Sequence, residues 1–140
     1  MAEQDNINEK EENPSSNPKI LIVDDDKFLL DMYTTKFREQ GFDVVSVGGG
    51  NEALEALRVG GDTFHAALLD LVMPAMDGFE ILRRIREEKL VPSCRLIVLS
   101  NLGEPSDVEK AKQYKIDGYI IKASSTPSEV VEKVREIIGK

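Results

Sequence analysis

Cysteine, tryptophan and long apolar runs are what this chain of 140 residues has least of. Cys94 is its only cysteine and tryptophan is absent, which excludes an intramolecular disulfide and a thiolate zinc cluster and fits a reducing compartment. No apolar run approaches the ~18 residues of a membrane span. Met1 to Pro18 has neither the cationic start nor the apolar core of a secretory leader, so a cytoplasmic protein without membrane contact is expected. Positive charge is scarce as well: 18 basic against 26 acidic residues leave a net charge of −8. That is the wrong sign for a face that neutralises phosphates, and direct nucleic-acid binding is not expected. The length suffices for one domain that needs no covalent or metal staple.

The acidic excess lies in two places. Residues 1–18 carry Glu3, Asp5, Glu9, Glu11 and Glu12 against Lys10, and from Ala2 to Pro18 the segment holds Pro14, Pro18 and Ile7 as its one large apolar residue. So little apolar surface cannot offset the entropy of ordering the segment, and a disordered acidic tail is expected there, with the folded domain over 19–140. From Lys19 onward short apolar runs alternate with amphipathic stretches, the pattern of βα units around a parallel sheet. Strands are expected at 20–23, 43–47, 66–69, 96–99 and 119–121, and helices at about 27–40, 51–59, 76–89, 105–114 and 127–138. In the first helix Phe28, Leu29, Met32, Tyr33 and Phe37 supply the helical spacing; in the third Phe79, Ile81, Leu82 and Ile85 point inward. Gly48, Gly49 and Gly50 read as a loose loop, and Ser125 or Thr126 as the last N-cap. Five units give an α/β fold, a doubly wound five-stranded parallel sheet of the flavodoxin-like kind, with strand order 2-1-3-4-5.

Functional groups in such sheets lie beyond the carboxyl ends of the strands, near the point where strand order reverses. The residues there are Asp24, Asp25 and Asp26 after strand one, Asp70 after strand three, Ser100 after strand four and Lys122 after strand five. Strands one and three are neighbours in that order, so four loops converge on one pocket. Clustered carboxylates either rise in pKa or bind a cation, and hard oxygen donors suit Mg2+, which keeps several waters and needs one or two carboxylates. An aspartate can attack phosphorus once the charge on the phosphoryl oxygens is neutralised, for which Mg2+, an ammonium and a hydroxyl are the fitting groups. Apart from these four aspartates, residues 19–140 hold 17 acids and 17 bases. The domain reads as a neutral scaffold with an acidic pocket.

These residues resemble the receiver domain of two-component response regulators over about 19–138. The resemblance rests on Ile20-Leu-Ile-Val-Asp-Asp-Asp26, on Leu68-Leu-Asp-Leu-Val-Met-Pro-Ala-Met-Asp-Gly78, on Ser100 and on Tyr119-Ile-Ile-Lys122. It implies that Asp70 accepts a phosphoryl group from a histidine kinase or phosphotransfer protein. Asp25, Asp70 and the carbonyl of Val72 would ligate Mg2+, with Asp24 behind them holding a metal-bound water. Lys122 would pair with Asp70 or its phosphate, while Ser100 bonds the phosphoryl oxygen and Tyr119 swings inward. With Lys140 two residues past the last helix, a stand-alone receiver is expected, and the resemblance implies no enzyme beyond its own phosphorylation and dephosphorylation. Its protein target would be met through the helix 4, strand 5 and helix 5 face, where Glu109, Lys110, Lys112 and Lys115 lie, with phosphorylation-dependent homodimerisation as a further expectation.

Two departures from the family pattern stand out. Ala123 follows Lys122 where proline, often with a cis bond, is usual; a cis bond without proline would cost about 2.5–4 kcal/mol, which favours trans without fixing it. Asn101 follows Ser100 where alanine or glycine is usual, with an amide able to crowd or hydrogen-bond a phosphoryl group. Val72 and Leu102 are apolar at positions where polar residues position water in the family, so a long-lived acyl phosphate is expected. Three other readings compete. A haloacid-dehalogenase-type phosphatase would use Asp24 and Asp26 but leaves Asp70 unexplained; a flavodoxin-like cofactor binder conflicts with three carboxylates in the phosphate loop. The third is a receiver-like binding module that acts without phosphorylation. His65 and Cys94, at strand starts away from the pocket, read as structural, as does Gly78.

Overall fold

The computed structural model describes residues 17–139, so the disordered tail expected for residues 1–18 lies outside the described residues up to 16. Pro18, assigned to that tail, joins the fold: its carbonyl accepts the Asp43 N–H at 2.9 Å. Five strands, β1 (Lys19–Val23), β2 (Asp43–Val47), β3 (Ala66–Leu69), β4 (Arg95–Ser100) and β5 (Gly118–Ile121), form one sheet. The order is β2-β1-β3-β4-β5 with every pairing parallel, as expected. Between and after them run α1 (Lys27–Glu39), α2 (Gly50–Gly60), α3 (Gly78–Glu87), α4 (Pro105–Lys112) and α5 (Pro127–Ile138).

The central strands are apolar throughout because both their faces are covered. Side chains alternate between two cores. Leu21, Val23, Ala67, Leu69, Leu96 and Val98 meet Leu54 and Leu57 of α2, Ile81, Leu82 and Ile85 of α3, and Ala111 of α4. Ile20, Ile22, Ala66, Leu68, Ile97 and Leu99 meet Leu30, Tyr33 and Phe37 of α1 with Val130, Val131 and Val134 of α5. Helices α2 to α4 therefore cover one face, and α1 and α5 the other.

Three expectations need correction. Phe28 does not face the core but is 83% exposed, because the buried stripe of α1 is Leu30, Tyr33, Thr34 and Phe37, one residue out of phase with it. Gly50 belongs to α2, not to a loose loop, and it is buried where a Cβ would come within 2.9 Å of three Met76 side-chain atoms. Helix α3 starts at Gly78 rather than Met76, since Asp77 caps it by accepting the Glu80 N–H. A Cβ on Gly78 would lie 2.3 Å from the Asp70 carbonyl, so only glycine lets the helix start so close to the third strand's end. Elsewhere the element ends differ from expectation by no more than two residues.

Candidate functional site

Each strand end delivers its residue to the same mouth. Asp24 and Asp70 continue the sheet ladder, donating N–H groups to the Val47 and Val23 carbonyls at 3.2 and 3.1 Å, so their carboxylates emerge side by side above β1 and β3. The three consecutive aspartates divide their roles. Asp24 is buried, and its Oδ1 accepts the Asp26 N–H at 2.9 Å. Asp26 turns outward to cap α1, accepting the Leu29 N–H at 3.1 Å. Asp25 is exposed and accepts no hydrogen bond from a described residue.

Lys122, the first residue past β5, reaches across the sheet and donates from Nζ to Asp24 Oδ2 at 2.5 Å and to Asp70 Oδ2 at 2.9 Å. Ser100, the last residue of β4, donates from Oγ to Asp70 Oδ1 at 2.8 Å, and the Val72 N–H donates to the same oxygen at 3.1 Å. Burial pushes the Asp24 carboxyl above its ordinary value, against the opposing pull of Lys122. Burial alone would depress the Lys122 ammonium, but its bonds to Asp24 and Asp70 outweigh that and hold it above its ordinary value. These groups, with Asn101, Leu102 and Leu29, line an open pocket of about 470 Å³.

An oxygen of each of Asp24, Asp25 and Asp70 lies within 4.8 Å of the others, a donor set of hard oxygens that fits a divalent cation such as Mg2+. The site residues drawn from the sequence thus converge: Asp24, Asp25, Asp70, Val72, Ser100 and Lys122 all line the pocket. Tyr119 does not line it. It is partly buried against the core on the α2 to α4 side of the sheet, and its O–H donates to the Leu102 carbonyl in the loop after β4. Ser100 on Asp70 and Tyr119 on Leu102 thus hold the loop after β4 at two points. His65 sits at the opposite end of the sheet, where its Nδ1 accepts the Lys19 N–H at 3.0 Å. Cys94 is buried, and burial pushes its thiol up to about 12. The contact that sequence reading missed is between the two unusual residues: Asn101 Oδ1 accepts the Ala123 N–H at 2.8 Å. Proline's absence at 123 was the available signal, since it leaves an N–H that needs a partner.

A doubly wound sheet whose switch point holds carboxylates braced by one lysine defines a class of α/β domains built around charged oxygens. Within that class the chain matches the model of the response regulator receiver domain over residues 20–135, and it belongs to that family. Among curated proteins it is 36% identical over 117 residues to the DNA-binding response regulator MtrA of Mycobacterium leprae, covering 84% of this chain and 49% of that one. It is 32% identical over 122 residues to the probable transcriptional regulator ycf27 of Porphyridium aerugineum, covering 87% and 48%. The chain spans about half the length of these relatives. Among solved structures, the receiver domain of the Francisella response regulator 1452 superposes with a TM-score of 0.79 at 28% identity, covering 88% of this chain and 98% of that one. The beryllofluoride-activated receiver domain of DrrB gives 0.75 at 28% identity, covering 89% and 99%.

Proposed function

We propose that this receiver domain is a phosphoacceptor in which Asp70 takes a phosphoryl group from a phosphohistidine of a histidine kinase or phosphotransfer protein. The observation that carries the reading is the Asp70 carboxylate itself, held by Ser100 and Val72 on one oxygen and Lys122 on the other at the mouth of the pocket. In the transfer an Asp70 oxygen bonds to phosphorus as the P–N bond of the donor breaks, and the departing imidazole nitrogen is protonated from solvent. Lys122 orients the Asp70 carboxylate and balances charge on the incoming oxygens, and the Ser100 hydroxyl, freed from Oδ1, donates to a phosphoryl oxygen. Asp24, Asp25 and Asp70, with the Val72 carbonyl, would hold Mg2+, which supplies the positive charge that lets an anionic carboxylate approach an anionic phosphoryl group.

Beyond its own phosphorylation and dephosphorylation we assign the domain no reaction. Val72, 58% exposed, and the half-buried Leu102 flank Asp70 without a group to align water, which favours a long-lived acyl phosphate. A lifetime of seconds would contradict that point. Output through α4, β5 and α5 to a protein target, and phosphorylation-dependent pairing of two copies, complete the reading. DNA binding, printed in the name of the longer relative MtrA, has no part in this reading. Incubation with Mg2+ and acetyl phosphate should add one phosphoryl group to the intact mass of the wild type and none to Asp70→Asn. If neither mass nor NMR spectrum responds to acetyl phosphate or beryllofluoride, the domain is a binding module that works without phosphorylation.

A further inference from the structure

The turn that carries Lys122 has few anchors of its own. Residues Lys122–Ser124 form a single 3-10 turn that is mostly exposed, and its internal bonds, from the Ser125 N–H to the Lys122 carbonyl and from the Ser124 hydroxyl to the Ile121 carbonyl, are long at 3.3 and 3.4 Å. Yet the Lys122 ammonium at its start is buried between two carboxylates, with its side chain only 8% exposed. A shorter bond to the turn's backbone comes from outside it, where the Ala123 N–H donates to Asn101 Oδ1 at 2.8 Å. Asn101 lies in a loop held on either side: Ser100 before it donates to Asp70, and Leu102 after it accepts from Tyr119. That loop is the firm partner and the Lys122 turn the soft one.

We propose that Asn101 is a positioning residue, whose side-chain amide tethers the Lys122 turn to the loop after β4 and so holds the Lys122 ammonium between Asp24 and Asp70. The two departures from the receiver pattern are then one device. With alanine instead of proline at 123 the turn loses a rigid ring and gains an N–H, and asparagine at 101 supplies the acceptor for it. Alanine or glycine at 101 would leave that N–H to water and the turn free to move. The consequence for phosphoryl transfer rests on the proposed function; the tether does not.

NMR on the whole chain separates the two. In Asn101→Ala the Ala123 amide hydrogen should exchange about fivefold faster, the ratio an ordinary hydrogen bond is worth. The nitrogen–proton signal of the Lys122 ammonium, sharp when that group is fixed and buried, should broaden. Asn101→Asp keeps the acceptor oxygen and should keep both signatures. In Ala123→Pro, which has no amide hydrogen to donate, adding Asn101→Ala should change the Lys122 signal no further. Unchanged Ala123 exchange in Asn101→Ala would overturn the tether, and faster exchange with an unmoved Lys122 signal would overturn the positioning role. With acetyl phosphate and Mg2+, the initial loading rate of Asn101→Ala should fall by up to about fivefold for the same reason. Should the wild type fail to load at all, the phosphoacceptor reading falls, while the two NMR signatures still decide the tether.

Discussion

Removing the Lys122 ammonium would leave the Asp24 and Asp70 carboxylates, 3% and 9% exposed, facing each other without a cation. Breaking a buried pair from one side costs more than the pair contributes, because the abandoned charge remains desolvated. Lys122→Met should therefore lower the unfolding free energy by about 3 kcal/mol in EDTA, measured by urea denaturation. Added Mg2+ should restore part of the loss, since a metal can take over the balancing charge; a loss indifferent to Mg2+ would mean that packing, not charge, dominates. The Lys122 value is raised in the folded state, so its stabilising effect is complete at neutral pH and disappears only as pH rises through that value. Cys94 follows the same sign for a different reason. Its thiol is held neutral from its ordinary 9.0 up to about 12, so between those values the unfolded chain loses a proton that the folded one keeps. Stability should fall across that window, and Cys94→Ala should flatten the fall in a pH series of denaturation midpoints.

Among the elements, α5 has the most complete start. Thr126 accepts the Glu129 N–H at 3.1 Å while the Glu129 carboxylate accepts the Thr126 N–H at 2.8 Å, a reciprocal capping box with Pro127 behind it. Thr126→Ala should cost about 1 kcal/mol by thermal or urea unfolding, and a negligible cost would mean that packing of Val130, Val131 and Val134 alone sets this end. The box is visible in the sequence as Thr-Pro-Ser-Glu, and the expected bounds of this helix coincide with those observed. The central strands were equally legible, because a strand buried on both faces has to be apolar almost throughout. Helix faces were less so. Phe28 fits a helical spacing as well as Leu30 does, yet Leu30 faces the core and Phe28 is exposed. The start of α2 was hidden for a similar reason: three glycines suggest freedom, whereas Gly50 is needed for its lack of a Cβ beside Met76. The Asn101 to Ala123 bond joins residues 22 apart through a backbone donor, and no local pattern announces such a contact.

On the scale of the whole molecule, the convergence of Asp24, Asp25, Asp70, Ser100 and Lys122 on one pocket was legible in the sequence, because these residues all follow or end strands whose neighbours are set by strand order alone. Charge acts at this scale too. If Mg2+ binds among Asp24, Asp25 and Asp70, folding and binding are linked, and a concentration of 100 times the dissociation constant should add about 2.7 kcal/mol to stability. Asp25→Asn should abolish most of that increment in a Mg2+ titration of the melting temperature, with little effect on the metal-free protein because Asp25 is exposed and accepts no bond from a described residue. A Mg2+ response that survives the substitution would place the ion elsewhere.

The two cores lie on opposite faces of the sheet, since neighbouring residues such as Leu21 and Ile22 send their side chains to opposite layers. The pocket groups are carried at the ends of that shared backbone. Either helical layer can accordingly be redrawn, residue by residue, without consulting the other. Evolution is then free to rework the surfaces this domain shows to other proteins while the positions of Asp70, Ser100 and Lys122 stay untouched.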